Sequence, residues 1–206
     1  MYKEFEKGRY IGPFTCSQLE CAIGFFQSSP LTIIPKAEKP GHFQLIQNLS
    51  YPNIPSQDGI PSVNLRVDSD LFPCTWGTFA TTCTLIHSLP PGCQGATHDV
   101  AEAYRTIRLN PSQWLALVVW IGEDPPTFAV DTTLCFGYGP SAGTYGGLQD
   151  ISLDIMWAAG IGPIIAWVDD HLFIRLPHAQ VCNYNTIYSH QATSIQANGG
   201  LLQDGR

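Results

Sequence analysis

An apolar run, Ile164-Ile165-Ala166-Trp167-Val168, ends on two adjacent acids, Asp169 and Asp170, and a second run, His171-Leu172-Phe173-Ile174, follows at once. Short β-branched and aromatic runs on either side of turn-favouring residues predict a β-hairpin with the Asp pair at its turn. A strand that is only structural needs neither acid. Two carboxylates side by side repel and raise each other's pKa unless a cation lies between them. A hard divalent ion supplies that charge, and oxygen ligands without a Cys or His pairing favour Mg²⁺ or Mn²⁺ over Zn²⁺. Taken alone, the dipeptide fits an exposed turn better than a metal site, because Asp is a favoured turn residue.

Asp99 changes that balance. It also ends a β-prone run, Gln94 to Val100, and Val100-Ala101-Glu102-Ala103-Tyr104-Arg105 follows as a short helical turn with an aromatic five residues after the acid. Acids at the ends of neighbouring strands of one sheet can converge on two metal ions about 3.5–4 Å apart, the arrangement that clamps attacking and leaving oxygens in phosphoryl transfer.

Around these acids the chain reads as α+β. Residues 1–30 are weakly patterned loops or short helical pieces, punctuated by Gly12-Pro13, Gly24 and Ser28-Ser29-Pro30. Leu31 to Pro35 and Phe43 to Gln47 predict a hairpin with Lys36 and Lys39 at its tip. Thr75 to Leu89 predicts a helix capped by Thr75, with Trp76, Phe79, Cys83 and Ile86 on one face, stopped by Pro90-Pro91-Gly92. Leu115 to Ile121 and Thr127 to Leu134 predict a third hairpin across Glu123-Asp124-Pro125-Pro126. After the glycine-rich Phe136 to Pro140, Leu148, Ile151, Ile155 and Ala158 mark one face of a helix that Pro140 begins. A last helix is predicted over Ala179 to Ala197, and helices are expected on one face of an antiparallel sheet. The expected boundary between two lobes lies near residues 64–75. Trp76, Trp114 and Trp120 fit core packing better than base stacking.

Composition narrows the function classes. With 10 Lys+Arg against 17 Asp+Glu the 206-residue chain carries a formal charge of −7, which lacks the basic footprint of a phosphate-binding surface. Apolar residues at 44% against 13% charged exclude a disordered chain. The N-terminus, Met1-Tyr2-Lys3-Glu4-Phe5-Glu6-Lys7, has no apolar core of the secretory kind, and no apolar run reaches the ~18–20 residues that span a bilayer. Seven cysteines without a C-x-x-C pair predict buried free thiols in a reducing compartment, hence an intracellular protein of cytoplasm or nucleus, neither secreted nor membrane-spanning.

The motifs carry a resemblance. Asp99-Val-Ala-Glu-Ala-Tyr104-Arg105 resembles the first catalytic motif of reverse transcriptases, and Trp167-Val168-Asp169-Asp170 resembles their second. Phe136-Gly137 with Pro140-Ser141-Ala142 and Tyr145 is similar to the loop and helix between them in retroelement enzymes, and Lys36 through Ser50 resembles the fingers segment that precedes them. Four motifs in the family's order cover roughly residues 31–175, and together they are far more specific than each alone.

The resemblance implies a right-hand polymerase: an N-terminal extension over 1–30, partial fingers over 31–75, and over 76–206 a ferredoxin-like palm with the start of the following segment. It implies RNA-directed DNA polymerase activity, with two Mg²⁺ or Mn²⁺ ions, deoxynucleoside triphosphates, a primer on an RNA or DNA template, and no membrane partner. It makes Asp99 and Asp169 the catalytic metal ligands, with Asp170 in support and the carbonyl of Val100 as a further oxygen. Tyr104 becomes the steric gate against a ribose 2′-OH. Lys36, Lys39, Gln44, Gly139, Pro140 and Ser141 join Tyr104 at the nucleotide. Three departures stand out. Gln44 replaces an Arg that grips the triphosphate, Asn48 replaces an Asp, and Trp167 replaces a Tyr or Phe. The chain ends about 36 residues after Asp170, so a thumb is expected to be absent. The competing expectation is a catalytically inactive remnant of such a palm, at most a binding module.

Overall fold

The computed structural model describes residues 2–35, 40–54 and 59–177. Lys36, Lys39 and the helix expected over Ala179 to Ala197 lie outside the described residues.

Helix α1 (Tyr2–Glu6), strand β1 (Tyr10–Phe14), helix α2 (Cys16–Ile23) and strand β2 (Ser28–Ser29) open the chain. A capping box starts α2: Thr15 Oγ1 accepts from the Gln18 amide at 3.3 Å, and Gln18 Oε1 accepts from the Thr15 amide at 2.9 Å. Two otherwise unpaired donors are thereby satisfied. The expected hairpin follows as β3 (Leu31–Pro35) and β4 (Phe43–Gln47), paired antiparallel from Leu31↔Gln47 to Pro35↔Phe43. Then come α3 (Phe79–Ser88), β5 (Gln94–Asp99), β6 (Val118–Glu123), β7 (Pro126–Asp131), α4 (Ser141–Ala158), β8 (Ile164–Trp167) and β9 (Asp170–Arg175).

The chain divides into two compact units, Met1–Phe72 with Tyr104–Ser141, and Pro73–Ala103 with Ala142–Arg206. In the first, four strands run in the order β1-β7-β6-β2, antiparallel except for the β2·β6 pair. Successive residues of β6 and β7 face opposite sides, and both sides are covered. Val118 and Val130 pack with Leu19 of α2, while Val119 and Ala129 pack with Tyr10 and with Phe5, Leu31 and Leu45. Leu117, Val118, Val119, Ala129 and Val130 are fully buried. Each such valine or leucine contributes about 1.5–3 kcal/mol.

Strand β1 lies in the segment read as loops and helical pieces. Gly12-Pro13 interrupts its alternation, and the pairing with β7 shifts register between Ile11 and Phe14. Gly12 has φ +136°, and a Cβ there would stand 2.9 Å from the Phe128 carbonyl oxygen, so β1 and β7 meet closely only because this residue is glycine.

The second unit holds an antiparallel sheet in the order β5-β9-β8. Its core gathers Met156, Ile161, Ile164 and Phe173, with Leu153 against them. Helix α3 begins at Phe79 rather than near Thr75, because Thr78 Oγ1 caps it from the Thr81 amide at 3.1 Å, and the Gly77 amide already bonds the Ala166 carbonyl at 2.9 Å. Its expected apolar face is not a core face: Phe79, Cys83 and Ile86 are exposed. The same holds for α4, which starts after Pro140 as expected yet exposes Leu148, Ile151, Ile155 and Ala158 and buries Tyr145, Gln149 and Met156. Size decides here. A Cβ at Gly146 would stand only 3.1 Å from Cys74 and 3.2 Å from Trp76, so the helix side with the missing side chain makes the close contact.

Two further expectations differ. Cys16, Cys21, Cys74 and Cys83 are exposed, and among the described cysteines only Cys135 is buried, its thiol pushed up to about 12 by burial. Trp120 is half exposed on β6. Among the described residues, no helix is long and apolar enough to cross a membrane.

Candidate active site

Register brings the acids of the second unit together. Asp99 is the last residue of β5 and Asp170 the first of β9, and the two are directly opposed across the antiparallel pair. Trp167 pairs with Asp170 on the other side of β9, so the β8–β9 connection is the two residues Val168 and Asp169. The turn is therefore Val168-Asp169, shifted by one residue from the expected Asp169-Asp170. The Val100 amide donates to the Asp169 carbonyl at 2.8 Å, which ties the end of β5 to this turn. Val168 has φ +53°, a left-handed conformation that is an outlier for a β-branched residue and costs about 1–2 kcal/mol. Strain of this kind gathers where function holds the backbone.

Electrostatics follows from the packing. Asp99 and Asp170 are exposed and Asp169 is half buried. Burial raises the Asp169 carboxyl above its ordinary value, and the charges of Asp99 and Asp170 raise it further. A divalent cation would relieve that repulsion, and the three carboxylates are hard oxygen donors. The donor chemistry thus fits Mg²⁺ or Mn²⁺. The side chains are not gathered into a finished ligand sphere, since no group of three His, Cys, Asp or Glu among the described residues could hold a metal as placed. His98 and His171 form the next cross-strand pair, one alternation away from the acids; burial lowers the His171 pKa.

The first unit carries the other expected residues. Tyr104 lies in the 3₁₀ turn Ala103–Thr106, half buried, its ring 5.0 Å from that of Phe136. Phe136 opens the glycine loop and is 43% exposed, so one face of this aromatic pair meets solvent. Gly137 and Gly139 are exposed and Pro140 is buried. Ser141 starts α4 fully buried, and its hydroxyl donates to the Cys135 carbonyl at 2.8 Å, so it closes the loop on itself. Gln44 sits within β4 opposite Ile34. Asn48 holds the following turn through its Oδ1, which accepts from the Ser50 amide at 3.2 Å.

Comparison with known proteins identifies the architecture. The crystal structure of the native prototype foamy virus protease-reverse transcriptase superposes with a TM-score of 0.62 at 12% identity over 97% of this chain and 22% of that one. A foamy viral protease-reverse transcriptase in complex with double-stranded DNA gives 0.63 at 14%, over 97% and 28%. The fold is reverse-transcriptase-like. The chain spans less than a third of the length of either protein, and at such identities the likeness is one of fold. No family model and no curated protein matches the sequence.

Within this reverse-transcriptase-like fold, one residue of the glycine-loop region escaped the sequence reading. Asn64 begins a 3₁₀ turn, Asn64–Arg66, and its side-chain amide bonds the loop backbone at Gly137 and Gly139. The partners lie 73 and 75 residues away, so local pattern carried no signal for it. Arg105 also has a definite place. It bonds Asp131 at 2.6 Å, the Leu134 carbonyl at 3.1 Å and Glu4 at 3.1 Å, next to Tyr104 in the chain.

Proposed function

We propose that this chain is the fingers and palm portion of a retroelement RNA-directed DNA polymerase, which adds deoxynucleotides to a primer 3′-OH on an RNA or DNA template. The observation that carries the reading is the opposition of Asp99 and Asp170 across β5·β9, with Asp169 in the adjoining turn, within a reverse-transcriptase-like fold. The solved neighbours include complexes with double-stranded DNA, which supports a nucleic-acid partner.

In this reading Asp99 and Asp169 would hold two Mg²⁺ or Mn²⁺ ions, with Asp170 in support and the Val100 carbonyl as a further ligand. Bound metal supplies activation of the attacking hydroxyl and neutralises charge on the triphosphate. The protein's own work is positioning. Asp169, whose carboxyl burial and the neighbouring acids raise above its ordinary value, must be ionised to bind, so a proton and a metal ion would compete for it. Tyr104, braced by Phe136, fills the volume of a ribose 2′-OH. The exposed backbone of Gly137 and Gly139 supports the nucleotide, Pro140 and Ser141 set the start of α4 behind it, and Lys36 and Lys39 attract the triphosphate. Gln44 offers an amide where a guanidinium would bind phosphate bidentately, and weaker triphosphate affinity follows.

Calorimetric titration of the full chain with Mn²⁺ and a deoxynucleoside triphosphate tests this. Each ligand should tighten the other, and Asp169→Asn should abolish that coupling. Equal binding by the variant would sink the assignment. A second reading, an inactive palm remnant, is favoured by Gln44 and by the ungathered carboxylates; it predicts no coupled binding in the unaltered chain.

A further inference from the structure

We propose that Asn64 is a positioning residue that clamps the glycine loop 136–140 in the shape that receives a deoxynucleoside triphosphate, an inference that rests on the polymerase reading above. Both ends of its amide are used on the loop. Oδ1 accepts from the Gly139 amide at 3.0 Å, and Nδ2 donates to the Gly137 carbonyl at 2.7 Å. Nδ2 also donates to Ser50 Oγ at 2.9 Å. A planar group with a donor and an acceptor on one carbon bridges the two loop residues as a strand neighbour would, and only Asn or Gln carries one.

The loop is shaped for this partner. Gly137 has φ +88°, and a Cβ there would meet the Gln47 carbonyl oxygen at 3.2 Å; a Cβ at Gly139 would come to 3.6 Å from Asn64 Oδ1. The loop backbone thus rests on the end of β4 on one side and on Asn64 on the other. Asn64 itself is fixed by its backbone, whose amide donates to the Leu49 carbonyl at 3.0 Å and whose carbonyl accepts from the Val67 amide at 3.2 Å. Through Leu49 and Ser50 the same residue is anchored just beyond β4, the strand that carries Gln44. Phe136, which adjoins the clamped residues, braces Tyr104, so a loosened loop also loosens the wall against the 2′-OH.

The test uses the full chain, with Mn²⁺ and a deoxynucleoside triphosphate as probes and amide hydrogen exchange as an independent readout. Asn64→Ala should speed exchange at Gly137 to Gly139 and weaken triphosphate binding about tenfold, the weight of one or two hydrogen bonds. Affinity for Mn²⁺ alone should stay within about twofold, because Asn64 is not among the proposed metal ligands. Asn64→Asp keeps the acceptor for Gly139 but sets a carboxylate oxygen against the Gly137 carbonyl, and it should weaken binding at least as much. It carries the test if the alanine variant does not fold. Triphosphate binding unchanged in both variants, or weakened without faster exchange in the loop, overturns the role of Asn64 while leaving the polymerase reading intact. An unaltered chain that binds no triphosphate in the presence of Mn²⁺ overturns both.

Discussion

The Val100 amide donates to the Asp169 carbonyl at 2.8 Å, joining the end of β5 to the β8–β9 turn. This bond, beside the Asp99↔Asp170 pair, holds three carboxylates at one end of a three-stranded sheet. The arrangement costs stability when no cation is present, because like charges are kept together. It therefore leaves measurable marks.

The first is a pH dependence. Asp169 has a folded-state pKa raised by burial and by the charges of Asp99 and Asp170, against an unfolded value near ~3.9. The folded state then binds the proton more tightly, so stability is favoured below the unfolded value and falls as pH rises through the window up to the raised folded value. Asp169→Asn should remove this fall and make the metal-free protein more stable near neutrality, by no more than ~1 kcal/mol given solvent screening. Urea unfolding of both proteins at acid and neutral pH checks it.

A second concerns the ion pair between Arg105 and Asp131. Asp131 is buried, which pushes its pKa up, while Arg105 at 2.6 Å opposes that push. Arg105→Ala leaves the carboxylate buried without its cation and should cost about 3–5 kcal/mol. Adding Asp131→Asn should restore part of the loss, because the amide is neutral. Denaturant melts of the single and double variants measure the difference.

The strained turn supplies a third. Val168 adopts φ +53°, so Val168→Gly should relieve the left-handed penalty and stabilise the protein by about 1 kcal/mol, after the greater unfolded-state entropy of glycine is subtracted. Thermal unfolding checks the gain. If the strain aims Asp169, Mn²⁺ affinity should fall in the same variant.

Helix α4 gives a fourth. Ile151 is 56% exposed and Met156 only 3%. Ile151→Lys should change stability by no more than ~0.5 kcal/mol, whereas Met156→Ala should cost about 2–5 kcal/mol. Chemical denaturation of the two variants decides which face of α4 is the core face, and equal losses would restore the pattern read from sequence.

Much of the strand pattern around the acids was legible because it rests on short-range signals. Runs that border the acids marked β5, β8 and β9, and turn residues marked the β3–β4 and β6–β7 hairpins, since strand alternation and turn chemistry act over a few residues. The placement of the Asp pair was off by one position. Local propensity favours two aspartates in the turn, and only the pairing of Asp170 with both Trp167 and Asp99 draws it into the strand. Strand β1 was missed for a related reason, because Gly12 and Pro13 obscure the period that close contact with Phe128 requires.

By itself, the sequence determined the α+β class, the hairpins, the start of α4 and the three acids with their order in the chain. Each follows from interactions between near neighbours, which composition and spacing express directly. Tertiary structure alone decided which faces of α3 and α4 are buried, that Arg105 meets Asp131 and Glu4, and that Asn64 grips Gly137 and Gly139. Those outcomes depend on close approach at glycines and on hydrogen bonds between residues up to 101 positions apart. Such contacts exist only once the chain has folded back on itself.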